Sequence, residues 1–196
     1  MLQLLISYKC NKLSGEVEVP GDKSISHRAL ILSSQAIGKS EIKGLLESDD
    51  VIHTAEALKL MGVNIERTKS SWLVDGVGTG GLSEPTDILY MGNSGTGTRL
   101  MMGLVATHPF MSFFNGDISL RKRPMSRVSI PLEKFGATIK ARQSGLLPLL
   151  IEGSENPVPI SYTPPVASAQ IKSAILLAAL NTPGETTVIE NESTGL

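Results

Sequence analysis

The sequence predicts an α/β fold, of the α+β kind, built from βαβαββ units that recur about every 73 residues. Three observations carry this. Residues 57–66, ALKLMGVNIE, align with residues 131–140, PLEKFGATIK, so that Leu58, Gly62 and Ile65 fall 74 residues before Leu132, Gly136 and Ile139. Each stretch reads as the end of an amphipathic helix, a glycine that stops it in the left-handed conformation, and then a strand. Second, three segments leave a small or polar loop, carry a cation in the first helical turn and become apolar: SHRALIL at 26–32, TRLMMGL at 98–104 and IKSAILL at 171–177. Their cations, Arg28, Arg99 and Lys172, are spaced 71 and 73 residues apart. Third, short apolar runs at 72–74 and 149–151 supply hairpin strands.

Taken in order, the first twelve residues, MLQLLISYKCNK, are apolar for only about six positions and lack a small-residue cleavage site. They read as a strand rather than an export signal. The first unit covers 19–86, with a helix led by GDKSISHR, a strand near 41–48, a helix from about Asp50 to Met61 and strands after Gly62. The second covers 87–156 and repeats this order behind GNSGTGTR. A third begins at 157; its strand at 186–193 echoes 41–48, with Glu47-Ser48 lying 145 residues before Glu192-Ser193. The chain ends before the second helix of that unit, so a fragment of a longer protein is expected. The turn-rich stretches 75–86 and 152–165 are the expected connections between units.

Composition narrows the function. With 18 basic against 19 acidic residues and a net charge of −1, no global field draws nucleic acid or an anionic membrane, so any anion site must be local. Aromatics at 4% leave little for base stacking. The single cysteine, Cys10, allows neither an internal disulfide nor a paired-cysteine metal site, and points to the cytoplasm. No apolar run approaches the roughly 18 residues that a membrane helix needs. The longest, 174–180, suits a short core helix.

Four segments carry the chemistry. In Gly21-Asp22-Lys23-Ser24-Ile25-Ser26-His27-Arg28, two cations five residues apart flank hydroxyls and a helix start, whose free N–H groups add neutral donors. The same residues also suit a plain N-cap, by Asp22 or Ser24, with solvated cations. The loop GNSGTGTR, with Asn93, Gly95 and Arg99, lets backbone approach a ligand, but it lacks the ending of a Walker A loop. Arg121-Lys122-Arg123-Pro124-Met125-Ser126-Arg127 places four cations in seven residues, with Pro124 preset for a first helical turn. Cations at a helix start oppose its dipole, which calls for an anionic partner. The last segment, ASAQIKS at 167–173, offers Ser168 and Gln170, with Lys172 facing either ligand or solvent. Cations from three separate segments imply a ligand with more than one anionic group. His27, His53 and His108 have no spacing that pairs them with a carboxylate, and His27 is left out of the chemistry.

PGDKSISHRAL, GNSGTGTRLMMGL, GDISLRKRPMSRV and ASAQIKSAILLAALNTPG stand in this order over 17–193, and together they resemble the 5-enolpyruvylshikimate-3-phosphate synthase family. The resemblance implies a transferase moving the enolpyruvyl (1-carboxyvinyl) group of phosphoenolpyruvate to the 5-hydroxyl of shikimate 3-phosphate. That is a step of the shikimate pathway toward chorismate and the aromatic amino acids. It implies no metal or redox cofactor. Carried over by motif, Lys23 touches both substrates, while Ser24, Arg28, Ser168, Ala169 and Gln170 hold shikimate 3-phosphate. Gln170 also reaches phosphoenolpyruvate, which Asn93, Gly95 and Arg123 bind. Gly95 leaves room for glyphosate, an inhibitor that competes with phosphoenolpyruvate in this family. The family fold has two domains of three units each. Residues 1–18 then belong with the second domain and 19–196 form one substrate-binding domain, with a third unit, 157–196, incomplete. The family's proton-transfer groups lie in the other half, so no catalytic residue is assigned here. A monomer is expected.

Other readings remain. A non-catalytic anion-binding module would bind without releasing phosphate, and an unstable truncation product would fail to fold. The sister enzyme acting on UDP-N-acetylglucosamine has Lys-Asn where this chain has Lys23-Ser24, and a reactive-cysteine loop where it has residues 121–124.

Overall fold

The computed structural model describes residues 5–190. Five helices and nine strands are arranged as three small sheets around a helical core: α1 (Lys23–Gln35), β1 (Ile37–Lys43), α2 (Asp49–Leu60), β2 (Asn64–Arg67), β3 (Ser71–Val77), β4 (Leu89–Tyr90), α3 (Gly95–Val105), β5 (Met111–Asn115), α4 (Ser126–Lys134), β6 (Thr138–Arg142), β7 (Leu146–Glu152), β8 (Ser161–Tyr162), α5 (Ala169–Ala179) and β9 (Thr187–Val188). The architecture is mixed α/β, as the sequence predicts.

The starts of α1, α3 and α5 are set by one device. Asp22, Ser94 and Ser168 each stand outside the helix in extended conformation and accept the backbone N–H of the residue three further on, Ile25, Gly97 and Ile171. Such caps satisfy one of the donors that a helix start leaves unpaired. The ends of α2 and α4 are equally regular. Gly62 and Gly136 follow them with φ of 88° and 103°, a conformation glycine reaches without a Cβ clash, and the chain then enters β2 and β6.

The sheets run β1-β3-β2 and β4-β5-β7-β6, with β8 and β9 forming a short parallel pair. In both larger sheets the third strand of the run is the central antiparallel partner: β3 pairs with β1 and β2, β7 with β5 and β6. Their inward side chains, Trp72 and Val74 on one and Leu147, Leu149 and Ile151 on the other, cover the core. Alternation along a half-buried strand puts every second residue on that face.

α3 is the central helix. Gly95, Gly97, Thr98, Leu100, Met101, Met102, Gly103, Leu104 and Val105 are all buried, and only Thr96 and Arg99 stand on a half-exposed polar edge. Its closest approach is to α5. A Cβ at Gly103 would overlap the backbone of Ala174, which is how the two helices come so near.

Three expectations can be set beside the described residues. Residues 5–18 carry no strand, and Leu5, Leu13 and Val17 are almost fully exposed. A strand exists only with a partner for its backbone groups, and no described strand offers one there. The stretches expected as connections are partly sheet: β3 extends to Val77, and β7 and β8 take up Glu152 and Ser161–Tyr162. The proposed strand echo at 186–193 is seen as β9 over Thr187–Val188, while Glu192 and Ser193 lie outside the described residues. Among the described residues no helix is long and apolar enough to cross a membrane.

Candidate functional site at the helix heads

Arg28 and Arg99 do not sit in the first turn of their helices. They follow the starts of α1 and α3 by more than one turn, and each guanidinium folds back onto the carbonyl four residues earlier: Arg28 Nη1 donates to Ser24 O at 3.0 Å and Arg99 Nη1 to Gly95 O at 3.1 Å. The charge therefore returns to the helix head from the side, which a first-turn side chain could not do without facing the dipole directly. Both then reach across to α5. Arg28 Nη2 donates to Ser173 Oγ at 2.6 Å, and Arg99 Nη1 donates to Gln170 Oε1 at 2.9 Å. Gln170 and Ser173 are three apart on one helix face, so α5 joins the two arginines into one surface.

Around Arg99 the second and third segments converge. Gln170 Nε2 donates to Thr96 Oγ1 at 3.0 Å, and Arg99 Nη2 to Pro124 O at 3.2 Å. Arg123 donates to the Asn93 carbonyl and side-chain oxygen and to Ser119 Oγ. Asn93 in turn donates to Asp117 at 2.9 Å. An ideal Cβ on Gly95 would stand 3.0 Å from Arg99 Nη1 and 3.3 Å from Arg123 Nη1, so both guanidiniums crowd the first residue of α3. Burial, and then the charges of Arg123 and Arg127, pull the Arg99 guanidinium below its ordinary range.

The structure thus brings Asn93, Gly95, Arg123 and Gln170 together, with Arg28 one helical turn along α5. Ser168 and Ala169 stand at the α5 head, where Ser168 Oγ caps Ile171 N–H. Ser24 contributes its carbonyl to Arg28. Lys23 points elsewhere: its Nζ pairs with Asp50 of α2 at 3.1 Å, with half of the lysine side chain exposed. Lys172 turns to Glu190 at 2.9 Å.

The run of four cations differs from expectation. α4 starts at Ser126, so only Arg127 lies in it; Arg121 and Lys122 fall in a short 3₁₀ turn, Leu120–Lys122, and Arg123 is extended. Pro124 precedes the helix rather than opening it, and the helix-dipole argument applies to Arg127 alone.

Sequence reasoning missed two participants as site residues, Thr96 and Ser173, and placed Arg99 in a ligand-binding loop without assigning it a ligand. The shared back-fold onto the i−4 carbonyl in α1 and α3 is the signal that ties Arg99 to Arg28. His27, left out of the chemistry, has a defined place in the fold. It is fully buried between α1, α2 and α3, with Nδ1 2.8 Å from Thr54 Oγ1 and Nε2 3.3 Å from Ser94 Oγ. Burial lowers its pKa from 6.5 to about 4; Asp50 opposes the fall, and Lys23 and Arg28 add to it. Among the described residues no cluster of three metal-ligating side chains occurs.

Arg28, Arg99 and Arg123 donate to neutral oxygens, and none of them forms an ion pair among the described residues. Chemically this surface can hold an anion through guanidinium forks and helix-start amides.

Comparison with known proteins gives the same direction. A 3-phosphoshikimate 1-carboxyvinyltransferase of Rhodospirillum rubrum is 56% identical over 195 residues, covering 97% of this chain and 43% of that protein. One of Paramagnetospirillum magneticum is 57% identical, covering 99% and 44%. The chain thus spans less than half the length of these curated relatives. The solved structure of an EPSP synthase from Acinetobacter baumannii superposes with a TM-score of 0.88 at 45% identity, over 92% of this chain and 41% of that one. With the family model for EPSP synthase (3-phosphoshikimate 1-carboxyvinyltransferase) matching residues 8–194, the chain belongs to the EPSP synthase family.

Proposed function

We propose that this chain forms the part of an enolpyruvyl transferase that grips shikimate 3-phosphate and phosphoenolpyruvate. The enolpyruvyl group would pass from the second to the 5-hydroxyl of the first as inorganic phosphate leaves. The observation that supports it is the set of guanidiniums at the helix heads, Arg28, Arg99 and Arg123, satisfied only by neutral oxygens. A planar fork of donors fits phosphate and carboxylate better than it fits single carbonyls.

On this reading Lys23 leaves Asp50 to touch both substrates. Ser24, Arg28, Ser168 and Ala169 hold shikimate 3-phosphate, and Asn93, Gly95 and Arg123 hold phosphoenolpyruvate. Gln170, placed beside Arg99 and Thr96, serves both. Fixed donors of this kind stabilise charge that shifts during addition and elimination without reorganising. The proton-transfer groups would belong to the remaining half of the enzyme, together with residues 1–18, while residues 19–196 make the substrate-binding domain. The reading also takes the protein as a cytoplasmic monomer with no metal, nucleic-acid or membrane partner.

Amide chemical shifts of the isotope-labelled chain, followed as each substrate is added, test this. Shikimate 3-phosphate is expected to move the heads of α1 and α5, and phosphoenolpyruvate the 92–97 loop and Arg123. Shifts confined to other surfaces would overturn the assignment. Gly95→Ala probes the second subsite. Its Cβ presses on two guanidiniums with mobile ends, so phosphoenolpyruvate and glyphosate should weaken about tenfold or more while shikimate 3-phosphate is spared.

A further inference from the structure

Where α1, α2 and α3 meet, a buried chain of hydrogen bonds runs through His27. Ser94 Oγ accepts the Gly97 N–H at 3.0 Å and faces His27 Nε2 at 3.3 Å. His27 Nδ1 faces Thr54 Oγ1 at 2.8 Å, and Thr54 Oγ1 reaches the Asp50 carbonyl at 3.5 Å. Ser94, His27 and Thr54 are each buried to within 1% or less of full burial.

One direction of donation satisfies every member. Gly97 N–H donates to Ser94 Oγ, Ser94 O–H to His27 Nε2, His27 Nδ1–H to Thr54 Oγ1, and Thr54 O–H to the Asp50 carbonyl. The opposite tautomer would make Nε2–H a donor, so Ser94 Oγ would accept twice and its own proton would face no acceptor. The imidazolium fails in the same way. A buried hydroxyl without a partner is costly, which selects the first arrangement.

Packing supports it independently. A Cβ on Gly97 would lie 2.8 Å from Ser94 Oγ, 2.9 Å from Thr54 Oγ1 and 3.2 Å from His27 Cε1, so the α3 head closes onto this trio only because residue 97 is glycine.

We propose that His27 is a positioning residue: as the neutral Nδ1–H tautomer it fixes the Ser94 cap, and through it holds the α3 head, with Asn93 and Gly95, against α1 and α2. Its relation to phosphoenolpyruvate rests on the function proposed above. The charged groups that face the ring are Asp50 from α2 and Lys23 and Arg28 from α1, and the two cations resist protonation. Loss of the Nε2 acceptor would free the cap without touching any substrate contact. His27 therefore acts through Ser94 and is not a catalytic group.

Nitrogen-15 spectroscopy of the imidazole in this chain reads the tautomer directly. A protonated Nδ1 and bare Nε2 at about pH 7, persisting below pH 5, are expected; an Nε2–H tautomer or an imidazolium at pH 7 overturns the proposal. Hydrogen exchange at Gly97 is the second measurement. It should speed up about tenfold or more in both His27→Leu and Ser94→Ala, with Val74 of β3 unaffected. Unchanged Gly97 exchange in Ser94→Ala, which keeps the histidine, also overturns it and does so even if His27→Leu fails to fold. Phosphoenolpyruvate added to the unmutated chain separates the two claims. Silence at Asn93 and Gly95 there would sink the proposed substrate while leaving the tautomer and exchange results to judge His27.

Discussion

His27 also carries part of the pH response of the fold. An unfolded histidine takes its proton near 6.5, whereas the folded one waits until about 4. Between those values the unfolded chain holds more protons, so stability is fully present above about pH 6.5 and declines as the pH falls toward 4. The loss is at most about 3 kcal/mol for this group. Buried His108 works in the same direction, since burial also lowers its pKa. Urea midpoints measured from pH 7 to 4.5 should fall for the natural chain and fall less steeply for His27→Gln; identical slopes would remove His27 from the acid response. At Gly97 the added methyl of an alanine meets three buried side chains, so Gly97→Ala should cost about 1–3 kcal/mol in the same assay. None of this is legible in the sequence. A histidine between Ser26 and Arg28 gives no sign that residues 27, 67 and 70 positions away will enclose it, because Thr54, Ser94 and Gly97 meet it only through tertiary packing.

At the level of elements, local signals were reliable wherever the cause was local. Gly62 and Gly136 mark helix ends because only the left-handed turn explains a glycine between an apolar helix and a strand. Asp22 could be read as a cap because its carboxylate stands just before a helix start, and it closes α1 on the third residue, as Ser94 and Ser168 close α3 and α5. Ser168→Ala and Asp22→Ala are each expected to lower stability by about 1 kcal/mol, read by thermal unfolding, with no effect from the swap Asp22→Asn beyond a few tenths. The errors came where pairing is not local. The 121–127 run looks like a helix start although Arg123 is extended and the helix waits for Ser126. Side-chain reach was equally hidden: Arg28 and Arg99 lie beyond the first turn, and only folding shows that they double back to its carbonyls.

For the whole molecule, the consequence of three similarly capped helices is that their heads share one surface while their bodies build one core. α3 stands at the centre, buried except along the edge of Thr96 and Arg99, α5 packs against it through Gly103 and Ala174, and α1 is tied in by His27 and by Arg28 on Ser173. The anionic substrates proposed for that surface would therefore meet donors already positioned by the core, which lowers the ordering cost of binding. The most direct test is a calorimetric titration of the 196-residue chain with shikimate 3-phosphate, repeated on Arg28→Ala. Saturable heat from the natural chain that the substitution reduces by a factor of about ten or more in affinity is the predicted result. Equal affinity in both proteins, or no heat from a folded natural chain, would contradict a substrate site preformed at the helix heads.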